Sequence, residues 1–423
     1  MNAKCGMQFV VVGNGIAGIS AANTIRKIRP EASVTVVSEE AHPAYSACLL
    51  PDYISGDLKR EEIFIKKMED YYRNNIRFVS SRKVIRLDAE NKMVITGTEI
   101  LPYDRLIIAT GSKAVIPPVM GVDKKGVFTL KTIEDADKIC RWEGRTSVVV
   151  GSGPIGIEAS MALKRKGYRV YIVEGLKNIL PMVFDDYPAT IIKDILKKDG
   201  IEILTGERVV GILGGARVTG VETEGCKIKC DTVILATGMR PEVGLAGGVL
   251  ELGELGGIKV DDRMRTGVQD IYACGDCVEA ESLISGHSIL SLLWHNARLQ
   301  GEIAGSNAGG VTRAYRGSLN ITGLDIRGTQ AVSIGRIGND IKADPGVIEK
   351  KRDQHYQRLI LSNCVIVGGQ SVGSSKHVNA FIAGILRQEK VKSAKDVIRR
   401  SRSWVSSPRS FRFGRKVNTT RTV

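Results

Sequence analysis

The chain has no apolar run approaching the ~20 residues that a membrane-spanning helix needs, so a helical membrane protein is excluded. Its eight cysteines lack the spacing of a disulfide framework, which points to a reducing compartment. Its five histidines do not cluster, and none lies near Cys226 and Cys230, a pair expected on neighbouring strands, so no metal site is expected. Met1 leads almost directly into an apolar strand without a basic-plus-apolar leader, and the expected location is the cytoplasm. The 423 residues suggest two or three domains, and 43% apolar residues are ample for globular cores.

Glycine is plentiful, and its arrangement is informative. Gly13-Asn14-Gly15-Ile16-Ala17-Gly18 follows the apolar run Gln8 to Val12, and Gly151-Ser152-Gly153-Pro154-Ile155-Gly156 follows Val148 to Val150. Among 47 glycines a single GxGxxG has little weight; two, each with a strand before and a helix after, imply two dinucleotides. In each copy the first glycine makes the tight turn, the second admits a pyrophosphate to the backbone, and the third packs helix on strand. The helix N-terminus then receives the phosphates. Each next strand ends near an acid: Glu39 after Val34 to Val37, and Glu174 after Val170 to Val173. A carboxylate there accepts ribose hydroxyls and repels a 2′-phosphate, which favours NADH over NADPH at the second site. Lys177 is either a modifier of that preference or a solvated loop lysine.

Three further motifs complete the pattern. Leu106 to Ile108 and Val233 to Leu235 each run into Ala-Thr-Gly, at Ala109-Thr110-Gly111 and Ala236-Thr237-Gly238, and a later strand ends in Gly275-Asp276. With these five motifs in this order, the first 310 or so residues resemble the FAD-dependent pyridine nucleotide-disulfide oxidoreductase superfamily. The resemblance implies that Gly13, Gly15, Gly18, Glu39, Ala109, Thr110 and Gly111 serve FAD, with Gly275 and Asp276 at its ribityl chain. It implies that Gly151, Gly153, Gly156, Glu174 and Gly238 serve NADH, and that Glu158 approaches the nicotinamide edge; otherwise Glu158 is a helix-face carboxylate.

The expected architecture is α/β, with two interleaved Rossmann-like dinucleotide-binding domains and a small α+β C-terminal domain. FAD segments are expected at 1–113 and 241–312, the NADH domain at 114–240 and the small domain at 313–390. That last module is of a type that pairs subunits in the family, so a homodimer is expected by resemblance. Helices are expected at Thr132 to Ile139, about Leu290 to Gly305 and near Asn379 to Gln388, with strands near Ile334, at Leu359 to Leu361 and at Cys364 to Gly368.

The paired cysteines of glutathione reductase-type enzymes are missing, as is their C-terminal His-Glu pair. A single Cys48, within Tyr45 to Gly56, looks like the redox cysteine of NADH oxidases, NADH peroxidases and coenzyme A disulfide reductases, with Leu49 standing where those enzymes usually have glycine. NADH would give a hydride to FAD, and the reduced flavin would pass electrons to Cys48, held as a mixed disulfide or sulfenic acid. The alternative is a small buried packing residue. Cys274 and Cys277 straddle Asp276 and read as packing residues.

Two functions follow. One is an enzyme that reduces oxygen, peroxide or coenzyme A disulfide. The other is an NADH-linked electron-transfer subunit serving an iron–sulfur protein of the ferredoxin, rubredoxin or nitrite reductase type. The short C-terminal module, with Tyr356 alone well inside it, favours the second, as does a basic tail over 391–423 with ten Lys or Arg against Asp396. The tail contributes +9 of the net +15 and is expected to be disordered. Its readings are docking to an acidic partner or simple solubilisation. Nucleic acid is disfavoured, because only Trp404, Phe411 and Phe413 interleave the basic residues. The Cys48 segment tips the choice to the first function.

Overall fold

The computed structural model describes residues 6–338, 346–352, 355–374, 377–388 and 390–391. The chain forms two compact units: Met1–Leu49, Ile63–Lys113 and Met239–Leu319 make the first, and Leu50–Glu62, Ala114–Gly238 and Asn320–Val423 the second. The basic tail expected from 391 lies, from residue 392 on, outside the described residues.

The first unit is built on a parallel sheet in the spatial order Ile271–Ala273, Arg105–Ile108, Gln8–Val12, Ser33–Val37, Ile76–Val79. These strands are short, rich in Val and Ile, and mostly buried, as a sheet covered on both faces requires. Val11, Val36, Leu106 and Ile107 are fully buried, and burial of each contributes about 1.5–3 kcal/mol. Helix Ile16–Ile28 lies against helix Trp294–Ala308. A Cβ at Gly301 would stand 2.2 Å from the Ala17 carbonyl oxygen, and one at Gly305 would stand 2.5 Å from that of Ala21. Glycine on one helix and alanine on the other therefore let the two backbones touch. The later helix starts at Trp294 rather than near Leu290, because Ser288–Leu290 is a strand paired with Val278–Glu281.

The second unit repeats the scheme. Its parallel sheet runs Ile201–Thr205, Arg169–Glu174, Thr146–Val150, Thr232–Leu235, Val127–Thr129. Helix Ile133–Arg141 begins where expected, with a Thr132 N-cap that accepts from the Asp135 N–H. Residues Leu50–Glu62 belong to this unit although they lie inside the first expected FAD segment. Their helix, Leu50–Ser55, packs on helices Pro154–Arg165 and Ile133–Arg141. Tyr53 donates to Asp137 at 2.8 Å, Arg60 pairs with Asp137 at 3.0 Å, and Arg165 reaches Asp57 at 3.2 Å. Burial pushes the Asp137 carboxyl up, but the Arg60 and Tyr53 hydrogen bonds outweigh it and hold the group below its ordinary value.

The C-terminal part is a five-stranded antiparallel sheet, in the order Ile321–Ile326, Thr329–Gly335, Val365–Val372, His355–Ser362, Gly346–Arg352. Helix Val378–Leu386 covers it. Cys364 does not open a strand. With Asn363 it forms a two-residue turn, both at positive φ (+62° and +49°), of the kind that suits a hairpin twist. Tyr356 is fully buried and donates to Glu349 at 2.6 Å.

Candidate functional site: two nucleotide cradles

In the first cradle Gly13 has φ +110°, and a Cβ there would stand 2.1 Å from the Ala109 carbonyl oxygen. Only glycine permits both the turn and the approach. A Cβ at Gly18 would stand 2.0 Å from the Gly13 carbonyl oxygen, so the helix sits directly on the turn. Gly15, the N-cap of helix Ile16–Ile28, faces open space, with no atom within 4 Å of a built Cβ, and the first helical turn carries no acid. Free N–H groups at a positive helix end, with room above them, fit a pyrophosphate. The Gly275 N–H donates to Gln300 at 2.8 Å, Asp276 accepts from the Ser112 hydroxyl at 2.8 Å, and the Thr110 hydroxyl donates to the Glu242 carbonyl at 2.6 Å. Gly111, at φ +76°, is also open.

The second cradle matches it residue for residue. Gly151 has φ +99° and would place a Cβ 2.4 Å from the Ala236 carbonyl oxygen; one at Gly156 would stand 2.2 Å from that of Gly151. Gly153 and Gly238 are open. Pro154 starts the helix, where its missing N–H costs nothing. The Thr237 hydroxyl donates to the Val115 carbonyl at 2.7 Å.

The acids differ. Val12 pairs with Val37 and Val150 with Val173, so Ser38 stands at the position that Glu174 holds in the second cradle. Glu174 is buried: one carboxylate oxygen accepts from the Ser152 N–H at 2.9 Å and hydroxyl at 2.6 Å, the other from the Leu176 N–H at 2.9 Å. Glu39 lies one residue further along, exposed, with Lys83 at 3.2 Å. Lys177 is exposed, and Glu158 is half-buried on helix Pro154–Arg165.

Cys48 is exposed, in the single turn Ala47–Leu49 of the first unit. Cys274 and Cys277 are buried, burial pushes both thiols up, and the Cys277 thiol donates to the Cys274 carbonyl at 3.3 Å. Burial, aided by Asp231, pushes Cys230 up to about 12. Cys226 is exposed and lies between the strands Gly220–Thr223 and Lys227–Lys229 rather than on one.

Sequence reasoning passed over Asn14 and Tyr71. The Asn14 amide donates to the His42 carbonyl at 3.2 Å and accepts from the Tyr71 hydroxyl at 2.7 Å; that hydroxyl also accepts from the Ala44 N–H at 3.0 Å. The available clue was a residue with an amide side chain inside the tight phosphate-binding turn.

A family model described as pyridine nucleotide-disulphide oxidoreductase matches residues 7–301. The chain is 33% identical over 416 residues to an NADH oxidase of Methanocaldococcus jannaschii, covering 90% of this chain and 92% of that protein. It is 31% identical over 386 residues to an NAD(P)H nitrite reductase of Bacillus subtilis, covering 90% of this chain but only 47% of that larger protein. Among solved structures it is similar to a NAD-dependent persulfide reductase from A. fulgidus, with TM-score 0.87 and 26% identity over 94% of this chain and 83% of that one. No helix among the described residues is long and apolar enough to cross a membrane.

Proposed function

This chain belongs to the pyridine nucleotide-disulphide oxidoreductase family and is an FAD-dependent, NADH-driven oxidoreductase; we propose that it reduces a small oxidised acceptor through Cys48. When bound, FAD supplies hydride acceptance from NADH and a store of electrons for the acceptor. Gly13 and Gly18 shape the turn on which Gly15 would admit its pyrophosphate, Ala109 to Gly111 would form the floor beneath, and Gly275 would present Asp276, steadied by Ser112, to its ribityl hydroxyls. Glu39 reaches the ribose of its adenosine end. Gly151, Gly153, Gly156 and Gly238 hold NADH, Glu174 selects its free ribose hydroxyl, and Glu158 flanks the nicotinamide.

Cys48 acts as the thiolate. Its sulfur attacks the S–S bond of a disulfide or the O–O bond of a peroxide, becomes a mixed disulfide or sulfenic acid, and releases a thiolate or hydroxide. Coenzyme A disulfide, peroxide and oxygen are the acceptors to assay. The observation that carries this reading is the place of Cys48 in the turn Ala47–Leu49 of the first unit, inside the Tyr45–Gly56 segment; Cys226 and Cys364 are also exposed but lie outside that segment. The NADH oxidase and persulfide reductase relatives support it. Replacing Cys48 by Ser is expected to lower NADH-dependent reduction of coenzyme A disulfide or peroxide by about 100-fold or more.

The match to just under half of a nitrite reductase favours a second reading, an electron-transfer module for an iron–sulfur partner. Full turnover by Cys48→Ser with a one-electron acceptor, and none with disulfide by either protein, selects that one. A cytoplasmic homodimer is part of the proposal: the seven described cysteines form no disulfide, which fits a reducing compartment, and the dimer rests on the family; sedimentation gives the subunit count.

A further inference from the structure

We propose that Asn14 and Tyr71 are positioning residues that fix the Cys48 loop to the phosphate-binding turn of the first cradle. The inference rests on the reading of Cys48 as the redox thiol.

All the groups concerned lie in the first unit. Tyr71 sits on the short helix Met68–Arg73, is 2% exposed, and stacks on Phe78 with ring centroids 4.6 Å apart. The stack fixes its ring, so its hydroxyl is a rigid bridge between the Asn14 amide oxygen and the Ala44 N–H. Asn14 is 8% exposed, and its amide N–H₂ holds the carbonyl of His42. The backbone then carries this anchorage forward. The Ala44 carbonyl accepts from the Ile65 N–H at 2.8 Å and the Lys66 N–H at 3.1 Å, the Tyr45 hydroxyl donates to Glu40 at 2.7 Å, and the Ser46 N–H donates to Ile63 at 2.9 Å. The Leu49 N–H closes on the Ser46 carbonyl at 3.0 Å, and Cys48 lies inside that turn. Cys48 lies two positions after Ser46, a span of at most about 7 Å. The position of the thiol is thus set by a hydrogen-bonded chain that starts at the second residue of the fingerprint.

The second cradle shows that this is a choice. Ser152, the counterpart of Asn14, turns inward and holds Glu174. Asn14 turns outward to a loop instead, while Ser38 stands where the acid would be. A side chain long enough to reach His42 and Tyr71 has no use inside the cradle; its use is to tie the flavin-phosphate turn to the cysteine.

Tyr71→Phe removes one hydroxyl and keeps the stack. The full-length FAD-loaded protein should keep its flavin stoichiometry. Its thiolate-to-flavin charge-transfer absorbance at half reduction should fall about threefold or more, and the rate of Cys48 alkylation by iodoacetamide should change by a similar factor, as expected for loss of a buried bridging hydrogen bond. Asn14→Ser, which copies the second cradle, should shift both readouts in the same direction, and the double variant should add little. Wild-type absorbance and alkylation rate in folded, FAD-loaded Tyr71→Phe would overturn the positioning role alone. A wild-type protein that takes up only flavin electrons and shows no such band would overturn the Cys48 reading, and this inference with it. If Tyr71→Phe does not fold, Asn14→Ser decides by the same two readouts.

Discussion

The two nucleotide cradles share their glycines, strand register and open helix ends, yet they use the second fingerprint residue in opposite ways. In the second, Ser152 points inward and donates two of the three hydrogen bonds that hold buried Glu174, the third coming from the Leu176 N–H. In the first, Asn14 points outward to the loop before Cys48, and the acid has moved out to solvent beside Lys83. Backbone geometry is common to both because a pyrophosphate on a helix end imposes it. Side-chain use is free to diverge. Under the proposed assignment, the NADH cradle carries the fixed carboxylate, and the FAD cradle turns its second fingerprint residue to the neighbouring loop.

The largest effects should come from the shared glycines. A Cβ at Gly156 would overlap the Gly151 carbonyl oxygen, and one at Gly18 that of Gly13, where overpacking costs about 1–3 kcal/mol or more. Gly156→Ala should leave FAD bound and weaken NADH by roughly tenfold or more, read from flavin reduction against NADH concentration. Gly18→Ala should instead yield protein depleted of flavin absorbance. If Gly156→Ala lost FAD and kept NADH, the assignment of the cradles would be reversed.

A smaller effect separates the acids. Glu174→Ala leaves two N–H groups and a hydroxyl without their charged partner, and the KM for NADH should rise by roughly 10–100-fold. Glu39→Ala breaks an exposed pair and should change FAD affinity by less than about fivefold. Equal losses from both variants would erase the difference drawn between buried and exposed acids.

The smallest effect concerns pH and belongs to the first unit alone. Burial pushes His295 below the ordinary imidazole value, against the hydrogen bond to the Leu319 carbonyl that pulls it up. The unfolded chain therefore binds this proton more tightly. Stability is complete above about pH 6.5 and declines as pH falls from there toward the folded value. His295→Gln should flatten the loss of Tm between about pH 7 and 5 by roughly 1–3 °C. An unchanged slope would remove His295 as a source of acid sensitivity.

The cradles were legible because their signals are local: apolar strand, glycine turn and helix lie within twenty residues of one another. The helix after Thr132 was legible for the same reason, since its cap is next to it in sequence. What escaped was non-local. That Ser38 rather than Glu39 matches Glu174 follows from pairing register, which a strand written alone does not reveal. The union of Leu50–Glu62 with the second unit depends on Tyr53 and Arg60 meeting Asp137 more than seventy residues away. The Asn14–Tyr71 bond spans 57 residues. Cys364 was misread because a strand of apolar residues gives no sign that its first member is in a turn.

An anaerobic reductive titration of the FAD-loaded protein tests the role of Cys48 most directly. About four electrons per FAD, with a charge-transfer band appearing midway, are expected if Cys48 is redox-active. Uptake of only about two, with no such band, would contradict that role and leave the flavin as the sole redox centre.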